Sequence, residues 1–142
     1  FARQLAKSKR RFGEAYHERA QEAVKAYFAG AYLACCAMCG AASESILLNL
    51  AIIKVGAEEP VLKAYSGRSG RKYLRDQVLN LQSRPDSFKS EIGAGFTILA
   101  YWRDDAAHGS ARSVDATQAS IALQLLCLFV IAVEKNWDFL VE

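Results

Sequence analysis

The sequence is short of proline, with two residues in 142, and it has one methionine and two histidines. Scarce proline beside plentiful alanine and leucine favours helix. No alternating polar and apolar run of strand type stands out, which excludes a sheet protein as the first expectation. Repeats and low-complexity segments are missing. So is a G-x-x-x-x-G-K-S/T phosphate loop. The most apolar run, ASIALQLLCLFVIAV at 119–133, is interrupted by Ser120 and Gln124. It falls short of the ~20 residues of a membrane span and reads as a buried bundle helix, so no membrane partner is expected. The cysteines are Cys35, Cys36, Cys39 and Cys127. Cys35 and Cys39 are one helical turn apart, which suits a metal or redox pair. No histidine or further cysteine lies nearby in sequence to complete a zinc set. The thiols read instead as small buried hydrophobes, and no metal or other cofactor is expected. Reduced thiols fit a cytoplasmic protein.

What is present is the composition of a globular domain: 52% apolar residues, 23% charged residues and a net charge of +3. That balance excludes disordered and fibrous classes. The charge permits a polyanionic partner without demanding one. A chain of this length forms one domain and buries about two-thirds of its unfolded surface. It begins at Phe1 without a methionine, and residues 1–142 read as one helical domain of a longer protein.

The pattern predicts an all-α fold, an antiparallel bundle of four to five helices with short connections. The first helix is expected from Gln4 to Phe28, with Lys7, Lys9, Arg10 and Arg11 clustered in its basic half. Gly30 marks a break. The second is expected over 31–55, and its first half, AYLACCAMCGAAS, is almost wholly small residues. Small side chains allow close helix approach, so this helix belongs at the centre of the bundle or at a subunit interface. GAEEP at 56–60 ends it. A third helical region covers 60–82 with an interruption at SGRSG, SRPD at 83–86 is a turn, and a fourth helix covers 87–107. Asp115 with Gln118 three residues on has the form of a capping box opening a last helix over 116–140.

The stretch YWRDDAAHGS at 101–110 places Arg103, Asp104, Asp105 and His108 at the expected end of the fourth helix. Asp104 and His108 are four apart and share a helix face. A carboxylate beside the imidazole, and a position at a helix C-terminus, both favour the protonated ring. Such a ring suits proton exchange near neutral pH. Arg103 offers a fixed charge and a flat fork of donors suited to phosphate oxygens. On a regular helix its side chain diverges from that of His108 by about 140°. The two converge if the helix end unwinds, or if two copies meet across a dimer. A capped, salt-bridged helix end accounts for the same residues on local chemistry alone.

The arrangement resembles the R-x-x-x-x-H signature of the HEPN family (higher eukaryotes and prokaryotes nucleotide-binding domains), with Asp104 as the polar follower of the arginine. Residues 26–50, AYFAGAYLACCAMCGAASESILLNL, resemble the family's early helix pair, in which small residues and tyrosines precede an acidic residue, here Glu44. The likeness covers essentially the whole chain. It implies an all-α bundle and a metal-independent endoribonuclease in which the RNA 2′-hydroxyl attacks the adjacent phosphate. That reaction leaves a 2′,3′-cyclic phosphate and a 5′-hydroxyl. His108 would be the general acid or base, and Arg103 would stabilise the phosphorane charge. The resemblance also implies a homodimer with two signatures facing each other, and roles in toxin–antitoxin or defence systems with an antitoxin protein or an appended domain as partner. In members regulated by adenylylation, a tyrosine stands two residues after the histidine. Here that position is Ser110, after Gly109, which argues against regulation by that route. Some family members are silent bundles that dimerise or hold RNA or nucleotide, and this is the alternative reading. A purely structural helical interaction domain is a third.

Three further features complete the expected site. Glu44, in an apolar helix, needs a partner if buried: either it anchors Arg103 or His108, or it pairs with another lysine or arginine. YSGRSGRKYLR at 65–75 interleaves Arg68, Arg71, Lys72 and Arg75 with Tyr65 and Tyr73. Cations hold phosphates and rings stack bases, so the stretch suits single-stranded RNA, although most basic loops are solvated surface. Arg112 either adds charge to the His108 site or caps nearby carbonyls. His17, on a polar helix, reads as a surface residue.

Overall fold

The computed structural model describes residues 2–6, 12–74, 76, 80, 86–93 and 113–142. Among them the chain is all-α, with no strand. In chain order the helices are α1 (Ala2–Ala6), α2 (Glu14–Phe28), α3 (Tyr32–Val55), α4 (Glu58–Tyr65), α5 (Gly70–Leu74), α6 (Asp86–Phe88, running into a π-helical turn Lys89–Gly93), α7 (Ala116–Lys135) and α8 (Trp137–Val141).

The expected first helix is broken. Phe12 and Gly13 are not helical, and Gly13 has φ 94°, a conformation open to glycine at little steric cost. Phe12 is buried edge-on to Tyr16, with ring centroids 5.2 Å apart, and also packs on Trp137. Seating that ring in the core, rather than continuing a polar helix, accounts for the break. The Tyr16 hydroxyl donates to the Leu5 carbonyl at 3.3 Å and ties α1 to α2. Tyr16, Ala20, Ala23 and Val24 form the buried stripe of α2 at spacings of three and four.

The expected break at Gly30 is present as a Schellman turn. The N–H of Ala31 reaches the Ala26 carbonyl at 2.8 Å, and that of Gly30 reaches Tyr27 at 3.1 Å. Gly30 sits at φ 76°. The turn folds α2 back along α3. Helix α3 then packs against α2, α4, α5, α7 and α8, which makes it the central helix. Its buried positions include Cys35, Cys36, Cys39, Gly40, Ala42 and Ser43, small residues on more than one face. Gly56, at φ 86°, ends it by donating to the Ile52 carbonyl at 2.8 Å.

Helix α7 starts where expected. Asp115 accepts from the Gln118 N–H at 3.0 Å, and the Gln118 side chain accepts from the Asp115 N–H at 2.8 Å. The helix ends at Lys135, short of the expected Leu140, because the chain turns at Asn136 before α8. Cys35, early in α3, lies beside Ala119, early in α7, with Sγ 3.9 Å from the carbonyl oxygen. Asn49, late in α3, lies beside Gly13, next to the Phe12–Trp137 contact at the far end of α7. Helices α3 and α7 therefore run the same way, and α2 runs opposite to both. By length and apolar content both α3 and α7 could cross a bilayer, with peak mean hydropathy of 1.7 and 2.0. In this fold 61% of that stretch of α3 and 50% of that of α7 are covered by protein. Core helices of soluble proteins have the same character.

Candidate functional site

Helix α4 opens on Glu58, Glu59 and Pro60, residues that suit a helix N-terminus, and runs back along α3. Its last residue, Tyr65, reaches Glu44 near the middle of α3. Glu44 is 6% exposed, and the Tyr65 hydroxyl donates to its Oε1. A buried carboxylate is tolerable only when such donors reach it. Gly70, at the start of α5, packs so closely on the Tyr65 backbone that an added Cβ would collide with the Tyr65 carbonyl. That close approach holds the α4–α5 turn against the residue that meets Glu44.

Above this pair is a hollow of about 430 Å³, lined by Arg19 of α2, by Met38, Glu44, Ser45 and Leu48 of α3, and by Tyr65. Arg19 is half-buried as a residue, and its guanidinium makes an exposed hydrogen bond to the Ala15 carbonyl at 3.1 Å. The Ser45 hydroxyl is turned to the Ala41 carbonyl at 3.0 Å. The hollow thus sets a carboxylate, a phenol and a guanidinium around an apolar wall. It could take a flat polar group such as a nucleobase edge.

Arg68 and Lys72 are exposed beside this region, on the α4–α5 turn and on α5. Tyr73 is half-buried and packs on the core. Of Arg71 the backbone position in α5 alone is described. Arg75, Arg103, Asp104, His108 and Arg112 lie outside the described residues. The two readings of Glu44 looked to a cation or to the signature. Neither named Tyr65, 21 positions away.

Two further hollows meet at His17, whose ring lies 5.0 Å from that of Tyr16. One, of about 490 Å³, is lined by Leu5, Ala20, Gln21, Val24 and Lys25 among others. The other, of about 360 Å³, is lined by Gly13, Glu14, His17 and Asn49. Sequence reasoning missed both, because the first depends on how α1 packs on α2 and the second on how the start of α2 meets Asn49 of α3.

Cys35, Cys36 and Cys39 are buried and Cys127 is half-buried; all are free thiols. The hydrogen bond between Cys39 and Cys35 holds the Cys35 thiol below its ordinary value and pushes Cys39 up. Burial pushes Cys36 up to about 12 and raises Cys127. Among the described residues, no group of three or more His, Cys, Asp or Glu is placed to hold a metal ion. The chain matches no protein-family model, no curated protein and no solved structure.

Proposed function

We propose that this chain is a metal-independent endoribonuclease of the HEPN type, working as a homodimer on RNA in the cytoplasm, in a toxin or defence setting. The observation that carries the reading is the Arg103–x4–His108 signature in an all-α chain of one-domain length. His108 exchanges the proton of the 2′-hydroxyl or of the leaving 5′-oxygen, and Arg103 neutralises the phosphorane. Asp104 orients the ring. The exposed Arg68 and Lys72, with Arg71, Arg75 and Arg112, supply charge for the RNA backbone, and Tyr73 a ring edge. Glu44, held by Tyr65, anchors the interior beside them. The finer architecture belongs to the same reading: a bundle of four to five principal helices around α3, with α2 antiparallel and α7 parallel to it, and residues 87–107 as a helix that delivers the signature. An antitoxin or an appended domain would complete the system.

The second reading is a silent HEPN bundle that dimerises or holds RNA or nucleotide. It is favoured by the engagement of Tyr65 with Glu44 and of Tyr73 with the core, which leaves less ring surface for bases than the sequence pattern suggests.

The test is cleavage of a panel of labelled RNAs by wild type, His108→Ala, Arg103→Ala and Arg103→Lys, with folding checked by circular dichroism. Both alanine variants are expected to lose activity by about a hundredfold or more, and the lysine variant to recover part of it. EDTA should leave the rate unchanged. Products should carry 2′,3′-cyclic phosphate, and a 2′-O-methyl group at the cleaved position should block reaction. Inactive wild type, or variants that cleave equally well, would replace this reading with the binding module.

A further inference from the structure

We infer that the hollow between α2, α3 and α4 is a guanine-selective pocket, in which Glu44 takes the N1–H and N2–H donors of the base and Arg19 donates to its O6 and N7. This deepens the ribonuclease reading and rests on the RNA substrate given there. It assigns which base the protein selects.

The hollow measures about 430 Å³ and draws its lining from all three helices. Sites for small flat ligands have this composition, largely apolar with a few converging polar groups. Met38 and Leu48 supply apolar surface for the faces of a purine. The charged groups differ in kind. Arg19 donates only, and Glu44, as a carboxylate, accepts only.

Guanine matches both. Its N1–H and N2–H are adjacent donors, and its O6 and N7 are adjacent acceptors. A fork of arginine donors on O6 and N7 is the commonest base-specific contact in nucleic-acid recognition. Adenine in the same place would set its N1 lone pair against the carboxylate and its N6–H against the guanidinium. Uracil has a single ring N–H, and cytosine has an acceptor next to its amine. Neither offers donors on two adjacent atoms to the two carboxylate oxygens.

Glu44 is held ready for such a contact. It is 6% exposed, so a ligand displaces little water from it, and a carboxylate so placed bonds donors more strongly than in water. The Tyr65 hydroxyl donates to Oε1 and orients the group, taking one of about four acceptor positions that a carboxylate offers. Tyr65 is fixed in turn by the close approach of Gly70 to its backbone. Arg19 uses one of its five N–H donors on the Ala15 carbonyl. A peptide arginine would also suit a carboxylate, but Arg19 at the same hollow repels a second cation.

The experiment is titration of the full chain with GMP, AMP, IMP and 7-deaza-GMP to millimolar concentration, read by NMR, beside mapping of the RNA cleavage sites. GMP should bind about tenfold or more tighter than AMP. IMP, which lacks the N2 amine, and 7-deaza-GMP, which lacks N7, should each bind more weakly than GMP. Glu44→Gln is close in shape and still accepts from Tyr65. It should lose the preference with its helical circular dichroism intact. Arg19→Lys keeps the charge without the fork and should bring GMP down to the level of 7-deaza-GMP. Tyr65→Phe keeps the ring, removes the donor and should narrow the GMP-to-AMP ratio, which a merely structural role would not move. Equal binding of GMP and AMP, no binding of GMP, 7-deaza-GMP bound as tightly as GMP, a Glu44→Gln variant that keeps the preference, or arginine methyl ester competing as well as GMP would each overturn the pocket. RNA cleavage without bias toward guanosine would overturn it too and leave the ribonuclease reading intact. Selective GMP binding without RNA cleavage would sink the ribonuclease reading alone.

Discussion

Helices α3 and α7 have almost the same apolar character, with peak mean hydropathy of 1.7 and 2.0, yet the fold treats them differently. Small residues fill the first half of α3, and α2, α4 and α7 close in on several sides of it. Large aliphatic residues cover α7 all round, and one face is left over. Hydropathy says that a side chain needs cover. Side-chain size says how near a neighbour can come. Neither says how many neighbours the chain has to offer, and around α7 the described elements run out before its apolar surface does.

The comparison breaks most sharply at matched leucines. Leu47 of α3 is fully buried, and Leu47→Ala is expected to cost about 2–5 kcal/mol through lost burial and a residual cavity. Leu128→Ala on the outer face of α7 should cost the fold about 0.5 kcal/mol or less. Urea denaturation of both, kept at low protein concentration, measures the difference; equal losses would mean the α7 face is covered within one chain.

The α3 thiols give the next effect. Burial raises Cys36 from an ordinary value of 9.0 to about 12. The folded state therefore keeps a proton that the unfolded state releases above pH 9, and this contribution to stability, full below that pH, is lost progressively as pH rises toward about 12. The thermal midpoint should fall over that window, and Cys36→Ala should flatten the fall. Unchanged slopes in the variant would show that Cys36 is not desolvated as described.

The smallest effect is at the start of α7. Asp115→Ala removes the capping box and should cost about 1 kcal/mol, while Asp115→Asn keeps the acceptor and should cost less. Calorimetry of the pair reads it directly.

Residue by residue, legibility tracked the range of the interaction. Gly30, Gly56 and Asp115 act on backbone groups within five positions of themselves, so their turns and caps could be read from neighbours in the chain. The break at Gly13 was hidden because the surrounding polar pattern continues as a helix would. Only the burial of Phe12 against Tyr16 and Trp137 required it. The turn at Asn136 was hidden in the same way inside an apolar run. In the candidate site, the need of Glu44 for a partner was legible from its apolar surroundings, and the identity of Tyr65 was not. The exposure of Arg68 and Lys72 followed the expected basic surface, whereas Tyr73 went toward the core.

The amino-acid sequence by itself determined that this protein is helical, where the turns at Gly30 and Gly56 and the cap at Asp115 fall, and that an arginine and a histidine stand five positions apart in a polar cluster. Those properties depend on local backbone sterics and on residue identity. Tertiary structure alone decided that α3 is central and runs parallel to α7, that Tyr65 returns to Glu44, and that Ile121, Leu128 and Ile131 of α7 stay exposed among the described residues. Those outcomes depend on which surfaces compete for the same apolar contacts, and the competition is settled only when all the helices are packed together.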